Sequence, residues 1–443
     1  MGRLALDMDK IALELGLTEN TAEKKLLVKK ITDIAYKKGI YSASINEFYM
    51  ARGRGEIAPT FTVPAINLRT LTYDLAKAIF RVAKRNNTGG FIFEIAKSEM
   101  GYTAQPAFEY TAICLAAAVK EGWSGPVFVQ GDHFQVSAKN YKENPEKEIE
   151  SIKAVIMLAI ESGFYNIDID SSTLVDLSKS TVKKQQKLNF EVCALLTNFI
   201  RQNQPKGIEI SVGGEIGEVG HQNSTVEDLK EFMDGYNGRL RKGRVGISKI
   251  SIQTGTSHGG VVLPDGTIAK VKLDFDTLRT LSKMAREEYG MAGAVQHGAS
   301  TLPAEAFGNF PEAGAAEVHL ATEFQNMVYE SAHFPKELKS RIYDWLKKTQ
   351  GSERKSDQTD EQFLYSTRKK ALGQFKKDIL GLPQEARNAI AKEIEAKFEF
   401  LFEKLKSGNT RKDVDKYTVL KRVISRKSKE PAKEVEISHE GAD

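Results

Sequence analysis

The chain has 443 residues, 41% hydrophobic and 28% charged, with a formal net charge of +5. That balance excludes a disordered polyelectrolyte and predicts a globular protein with a sizeable core. The basic runs near the C-terminus, Lys347-Lys348 and Arg411 to Lys427, come without a recognised motif or a set of stacking aromatics, so no nucleic-acid partner is expected.

Residues 1–57 read as a helical N-terminal extension, with a loop near Gly53 and Gly55 leading into the first strand. Its first residues carry acids among the apolar positions and do not read as a signal peptide. No apolar run reaches the ~18 residues of a membrane span, so the expected protein is soluble and cytoplasmic. Eight short apolar runs follow: FTVPAINL (61–68), GFIFEIA (90–96), GPVFVQGDH (125–133), YNIDIDSS (165–172), GIEISVGGE (207–215), KISIQTGTSH (249–258), GAVQHG (293–298) and EVHLATEF (317–324). Between them lie longer stretches with apolar residues at helical spacing, such as TLTYDLAKAIFRVAKRN and DFDTLRTLSKMAREEYG. Strands alternating with helices predict a parallel sheet. Eight such units over 58–330 predict a closed (β/α)₈ barrel rather than a doubly wound open sheet. Residues 331–428 are rich in lysine and glutamate at helical spacing and predict a C-terminal helical extension; the polar tail 429–443 is expected to be disordered. Cys114 and Cys193 fall in apolar helical stretches and read as core residues.

Of seven histidines, three stand at the ends of the third, sixth and seventh runs: His133, His258 and His297. Strand C-termini of such a barrel converge on one mouth. A lone histidine there is more often an ordinary hydrogen-bonding residue, whereas three converging imidazoles match a catalytic metal site. Asp132, Asp170 and Glu215 end the third, fourth and fifth runs. With the histidines they make a site able to bind a metal and move protons.

These segments resemble the class II, metal-dependent ketose-bisphosphate aldolases of the fructose and tagatose type. Gly131-Asp132-His133, Asp170-Ser171-Ser172, Glu215-Ile216-Gly217, GTSHGG, HGAS and VHLATE are similar to that family's motifs, in the same order, over roughly 58–330. The resemblance implies reversible cleavage of a ketose 1,6-bisphosphate to dihydroxyacetone phosphate and glyceraldehyde 3-phosphate. It implies His133, His258 and His297 as ligands of zinc or another divalent transition metal that stabilises the enediolate, with Glu215 and Asp170 beside them and a monovalent cation nearby. Asp132 becomes the acid/base at the C4 hydroxyl, and Asn67, Gly259, Gly298, Ser300 and Thr322 become substrate- and phosphate-binding positions. A homodimer or homotetramer is also implied. No Schiff-base lysine is then required, although Lys97 follows the second run.

Three departures stand out. The glutamate-bearing mobile loop expected after the fifth strand reads Val219-Gly220-His221-Gln222-Asn223, leaving Glu218, with His221 as the alternative, to move the carbon-bound proton. His319 occupies the place of an asparagine on the eighth strand. The terminal extensions are longer than in the family. Two rival readings are a non-catalytic barrel subunit, which would lack the paired His-Gly elements present here, and a metal-dependent hydrolase, which would need a His-x-His absent from VPAINLR.

Overall fold

The computed structural model describes residues 7–217, 222–255, 263–264 and 273–423. Nine strands are seen: β1 (Ile40–Ala43), β2 (Val63–Asn67), β3 (Ile92–Ala96), β4 (Gly125–Gln135), β5 (Asn166–Asp170), β6 (Ser211–Glu215), β7 (Lys249–Ser251), β8 (Ala294–Gln296) and β9 (Glu317–Leu320). Strands β2 to β9 pair in parallel with their sequence neighbours, and β9 returns to β2 through Val63↔Glu317 to Ile66↔Leu320, which closes the barrel. Helices between the strands bury an apolar stripe against it, as residues 72–85 do with Leu75, Ile79, Phe80 and Val82. The fold is the expected (β/α)₈ barrel. Its seventh and eighth strands are shorter than the apolar runs, the hydrogen-bonded ladder of β7 stopping at Ser251 and that of β8 at Gln296.

The strand β1 lies inside a segment that reads as helical. It pairs with the first half of β4, Ile40↔Gly125 to Ala43↔Phe128, on the edge that β5 takes over from Gln130 onward. Asn166, the first residue of β5, stitches it in place: its amide donates to Ala43 O (3.2 Å) and Val129 O (2.9 Å), and its carbonyl accepts from Ile45 N (2.9 Å). All these groups are buried, so Asn166→Ala is expected to lower stability by about 3 kcal/mol, the cost of orphaned buried polar groups. A denaturant midpoint unchanged from the parent would contradict this.

Downstream of β1, helix α1 (Asn46–Gly53) plugs the N-terminal end of the barrel. Phe48 and Tyr49 pack with Val63, Ala65, Ile92, Phe128 and Ala316. Buried Arg52 clamps the plug by donating to Phe61 O (2.7 Å), Gly314 O (3.0 Å) and Ala315 O (2.8 Å). In the C-terminal extension, helix Gln384–Lys404 lies along residues 72–85 and places Phe402 against Phe91. With this end plugged by α1, the C-terminal mouth is the one at which His133 and His297 stand. No helix of the described residues is long and apolar enough to cross a membrane.

Candidate metal centre

The local backbone of β4 decides where Asp132 and His133 point. Pairing with β5 jumps between Gly131 and Phe134, so two residues bulge out of the ladder. His133 adopts φ 40°, a left-handed conformation that costs a non-glycine residue about 1–3 kcal/mol and that clusters at functional sites. Gly131 is required beside it: a Cβ there would sit 2.5 Å from the Phe134 ring. The bulge turns Asp132 and His133 into the barrel mouth, both nearly buried.

His133 Nδ1 faces Asp170 Oδ2 (3.2 Å) and Glu215 Oε2 (3.3 Å), and its Nε2 is 3.8 Å from Asp132 Oδ1. Asp170 is itself fixed by Gln135 Nε2 (2.7 Å) and by the Ser172 hydroxyl (2.6 Å). The arrangement orients one imidazole nitrogen with carboxylates and turns the other into the mouth, as metal-binding histidines are commonly held. The His297 ring, just beyond β8, lies 4.3 Å from that of His133 and 4.2 Å from that of His319 on β9. Asp132, His133 and His297 offer ligand atoms all within 4.8 Å of one another. Imidazole nitrogens with a carboxylate oxygen fit zinc or a related divalent ion.

Electrostatics favours a cation here. Burial pushes the Glu215 carboxyl up to about 7, with the Asp170 charge adding to it. Burial opposes charge on His133, yet Asp132 and Glu215 outweigh it and hold the ring well above the usual imidazole range. The field around these rings therefore attracts positive charge, whether proton or metal.

The other expected positions fall around the same mouth or outside the described residues. Asn67, ending β2, donates to Glu99 Oε2 (2.5 Å). Gly298 has φ 67°, a conformation suited to glycine, and opens the turn Ala299–Thr301. The Ser300 hydroxyl accepts from Ala321 N (2.7 Å), and Thr322 begins helix Thr322–Glu330. His258, Gly259, Glu218 and His221 lie outside the described residues.

Several polar groups were not anticipated. Arg69 is buried, paired with Glu99 (2.6 Å) and 3.5 Å from the Thr322 hydroxyl. Below the mouth, alternate strands β3, β5, β7 and β9 contribute Glu94, Asp168, Lys249 and Glu317 to the barrel interior, all buried, where bulky aliphatic residues usually sit. Lys249 Nζ donates to Gln130 Oε1 (2.7 Å), Asp168 Oδ2 (2.9 Å) and Glu317 Oε1, and Glu317 also accepts from the Tyr49 hydroxyl of the plug. Burial works against the Glu317 charge, but Lys249 and His319 hold its carboxyl down to about 2. Removing the cation strands two buried carboxylates, so Lys249→Met is expected to cost about 3–5 kcal/mol; a melting temperature equal to the parent's would refute that.

The sequence matches the family model described as fructose-bisphosphate aldolase class-II over residues 58–405. No curated protein matches it in sequence. Among solved structures, a probable tagatose 6 phosphate kinase from Sinorhizobium meliloti is similar with a TM-score of 0.55 at 13% identity, covering 80% of this chain and 98% of its own. A fructuronate-tagaturonate epimerase from Cohnella laeviribosi reaches a TM-score of 0.58 at 11% identity, covering 78% of this chain and 81% of its own. At such identities these two likenesses speak to the fold alone. The family match spans well over half of the sequence and includes the bulged Asp132-His133 pair and His297, and on that ground the chain belongs to the class II fructose-bisphosphate aldolase family.

Proposed function

We propose that the protein reversibly cleaves a ketose 1,6-bisphosphate, of the fructose or tagatose configuration, to dihydroxyacetone phosphate and glyceraldehyde 3-phosphate. The observation that carries this reading is the convergence of Asp132, His133 and His297 at strand ends of one barrel mouth. His258 supplies the third imidazole. The bound ion would act as a Lewis acid toward the substrate carbonyl.

The protein's own groups do the rest. Asp132 takes the proton from the C4 hydroxyl as the C3–C4 bond breaks. The released aldehyde carries the new C=O, and the electron pair of the broken bond stays on the dihydroxyacetone half. Its C3 carbon is then protonated from the loop after β6, for which Glu218 is the preferred carboxylate and His221 the alternative. Asp170 and Glu215 hold His133 through Nδ1 and are the carboxylates beside the ion. One phosphate docks near Gly298, Ser300 and the N-terminus of the helix opened by Thr322, where backbone N–H groups favour anions; Gly259 joins this cradle. Buried Arg69 beside Thr322 supplies positive charge at the same place. On this reading the enzyme is a cytoplasmic homo-oligomer, with a monovalent cation beside the substrate.

The test is a coupled assay on fructose and tagatose 1,6-bisphosphates beside the free sugars. Cleavage confined to a bisphosphate, and lost on chelation, is the expected result. Equal turnover of the unphosphorylated ketose would sink the phosphate cradle; hydrolysis of the phosphate ester without carbon–carbon cleavage would sink the aldolase reading.

A further inference from the structure

His319 is not explained by the site above. It stands on β9 with its ring 4.2 Å from that of His297, in the position where the resembling family carries asparagine. Its Nε2 lies 2.7 Å from Glu317 Oε1. Its Nδ1 lies 3.0 Å from Glu94 Oε2 and 3.2 Å from Asp132 Oδ1. Three atoms in this corner, His319 Nδ1, Asp132 Oδ1 and Glu94 Oε1, have no directed hydrogen bond. All three residues are more than nine-tenths buried, at 6%, 7% and 0% exposure.

Unsatisfied buried polar atoms are costly and call for an explanation. Lys249 does not provide one, since it serves Gln130, Asp168 and Glu317. Among the described residues neither Glu94 nor Asp132 forms an ion pair with lysine or arginine; the groups at ion-pair distance are His319 and, for Asp132, His133, while Arg69 and His297 act on Asp132 from farther off. The three residues present ligand atoms within 4.8 Å of one another. The ring is also held the way a ligand is held: one nitrogen on the Glu317 carboxylate, the other turned to the convergence point. His133 repeats the pattern on the opposite side of Asp132, with Nδ1 on Asp170 and Nε2 toward Asp132 Oδ1.

The geometry points to a second divalent-cation site formed by Glu94, Asp132 and His319, adjoining the first and sharing Asp132 with it. One imidazole nitrogen with carboxylate oxygens suits zinc, manganese, cobalt or iron. Two ions sharing a carboxylate form a pair able to hold two neighbouring substrate oxygens at once. The inference rests on the aldolase reading only in placing the first ion at His133 and His297.

The experiment counts metal. Protein stripped with chelator is reloaded with zinc, dialysed and measured by elemental analysis, and the manganese form is examined by electron paramagnetic resonance. The parent is expected to hold two ions per chain with an exchange-coupled manganese spectrum. His319→Asn and the near-isosteric Glu94→Gln are each expected to hold one, with uncoupled spectra and unchanged circular dichroism. One ion in the parent, unaltered by His319→Asn, overturns the second site and leaves His319 as an imidazolium paired with Glu94 and Asp132. If Glu94→Gln alone folds, its stoichiometry decides in the same way. Two ions in a parent that cleaves no ketose bisphosphate would overturn the aldolase reading and leave the second site standing. One ion in the parent, kept by His319→Asn and lost in His297→Ala, with cleavage intact in the parent, would do the reverse.

Discussion

His297→Ala is expected to yield a folded protein that lacks the histidine-bound ion and cleaves ketose bisphosphate at the background rate. The ring sits between those of His133 and His319, 4.3 and 4.2 Å away, so its loss opens the middle of the cluster. An ion left with fewer imidazoles dissociates readily, and the loss should exceed the roughly 10–100-fold that removal of an outer hydrogen-bond partner costs a metal site. The fold should survive. The backbone at this position is held by Gln296, whose amide donates to His297 O (2.8 Å), and by the pairing of Val295 and Gln296 with β9. The measurements are metal content after dialysis, cleavage rate and thermal melting. A variant that keeps its full metal content and at least a tenth of parental turnover would remove His297 from the donor set.

How far the sequence reaches is seen at particular residues. All eight barrel strands were legible because strands buried on both faces read as continuous apolar runs. The strand β1 was not, since Ile-Tyr-Ser-Ala has neither the length nor the alternation of an independent strand; its partner on β4 and the amide of Asn166 make it one. The histidines at strand ends were legible from position alone. The interior ion network was harder to see, because Lys249 and Glu317 open short runs and look like flanking charges. A signal was present: Asp168 and Asp170, and Glu317 and His319, are spaced by two within buried strands, so each pair shares one face. In a barrel that face is the interior. The bulge at Asp132-His133 depends on the register between β4 and β5, a tertiary property that GDH does not encode by itself.

Asp132 carries the most demanding assignment, because one side chain is asked to touch an ion and to move a proton. Its Oδ1 is the atom near both His133 and His319, which leaves Oδ2 to meet the substrate hydroxyl. Burial opposes ionisation of this carboxyl, yet His133 and His319 hold it well below the usual carboxylate range, so it stands ready in its basic form. Asp132→Ala is expected to retain the ion of His133, His258 and His297 while losing about 10²- to 10⁴-fold in turnover, the usual worth of a positioned acid/base. Asp132→Asn separates the two duties. The amide keeps an oxygen for the ions but cannot accept the proton, so metal content should stay near the parent's while turnover falls as far as in the alanine variant. If Asp132→Asn cleaves ketose bisphosphate within about threefold of the parent, a shortfall far smaller than general-base loss produces, the proton is taken by another group, and Asp132 is a metal-site residue alone.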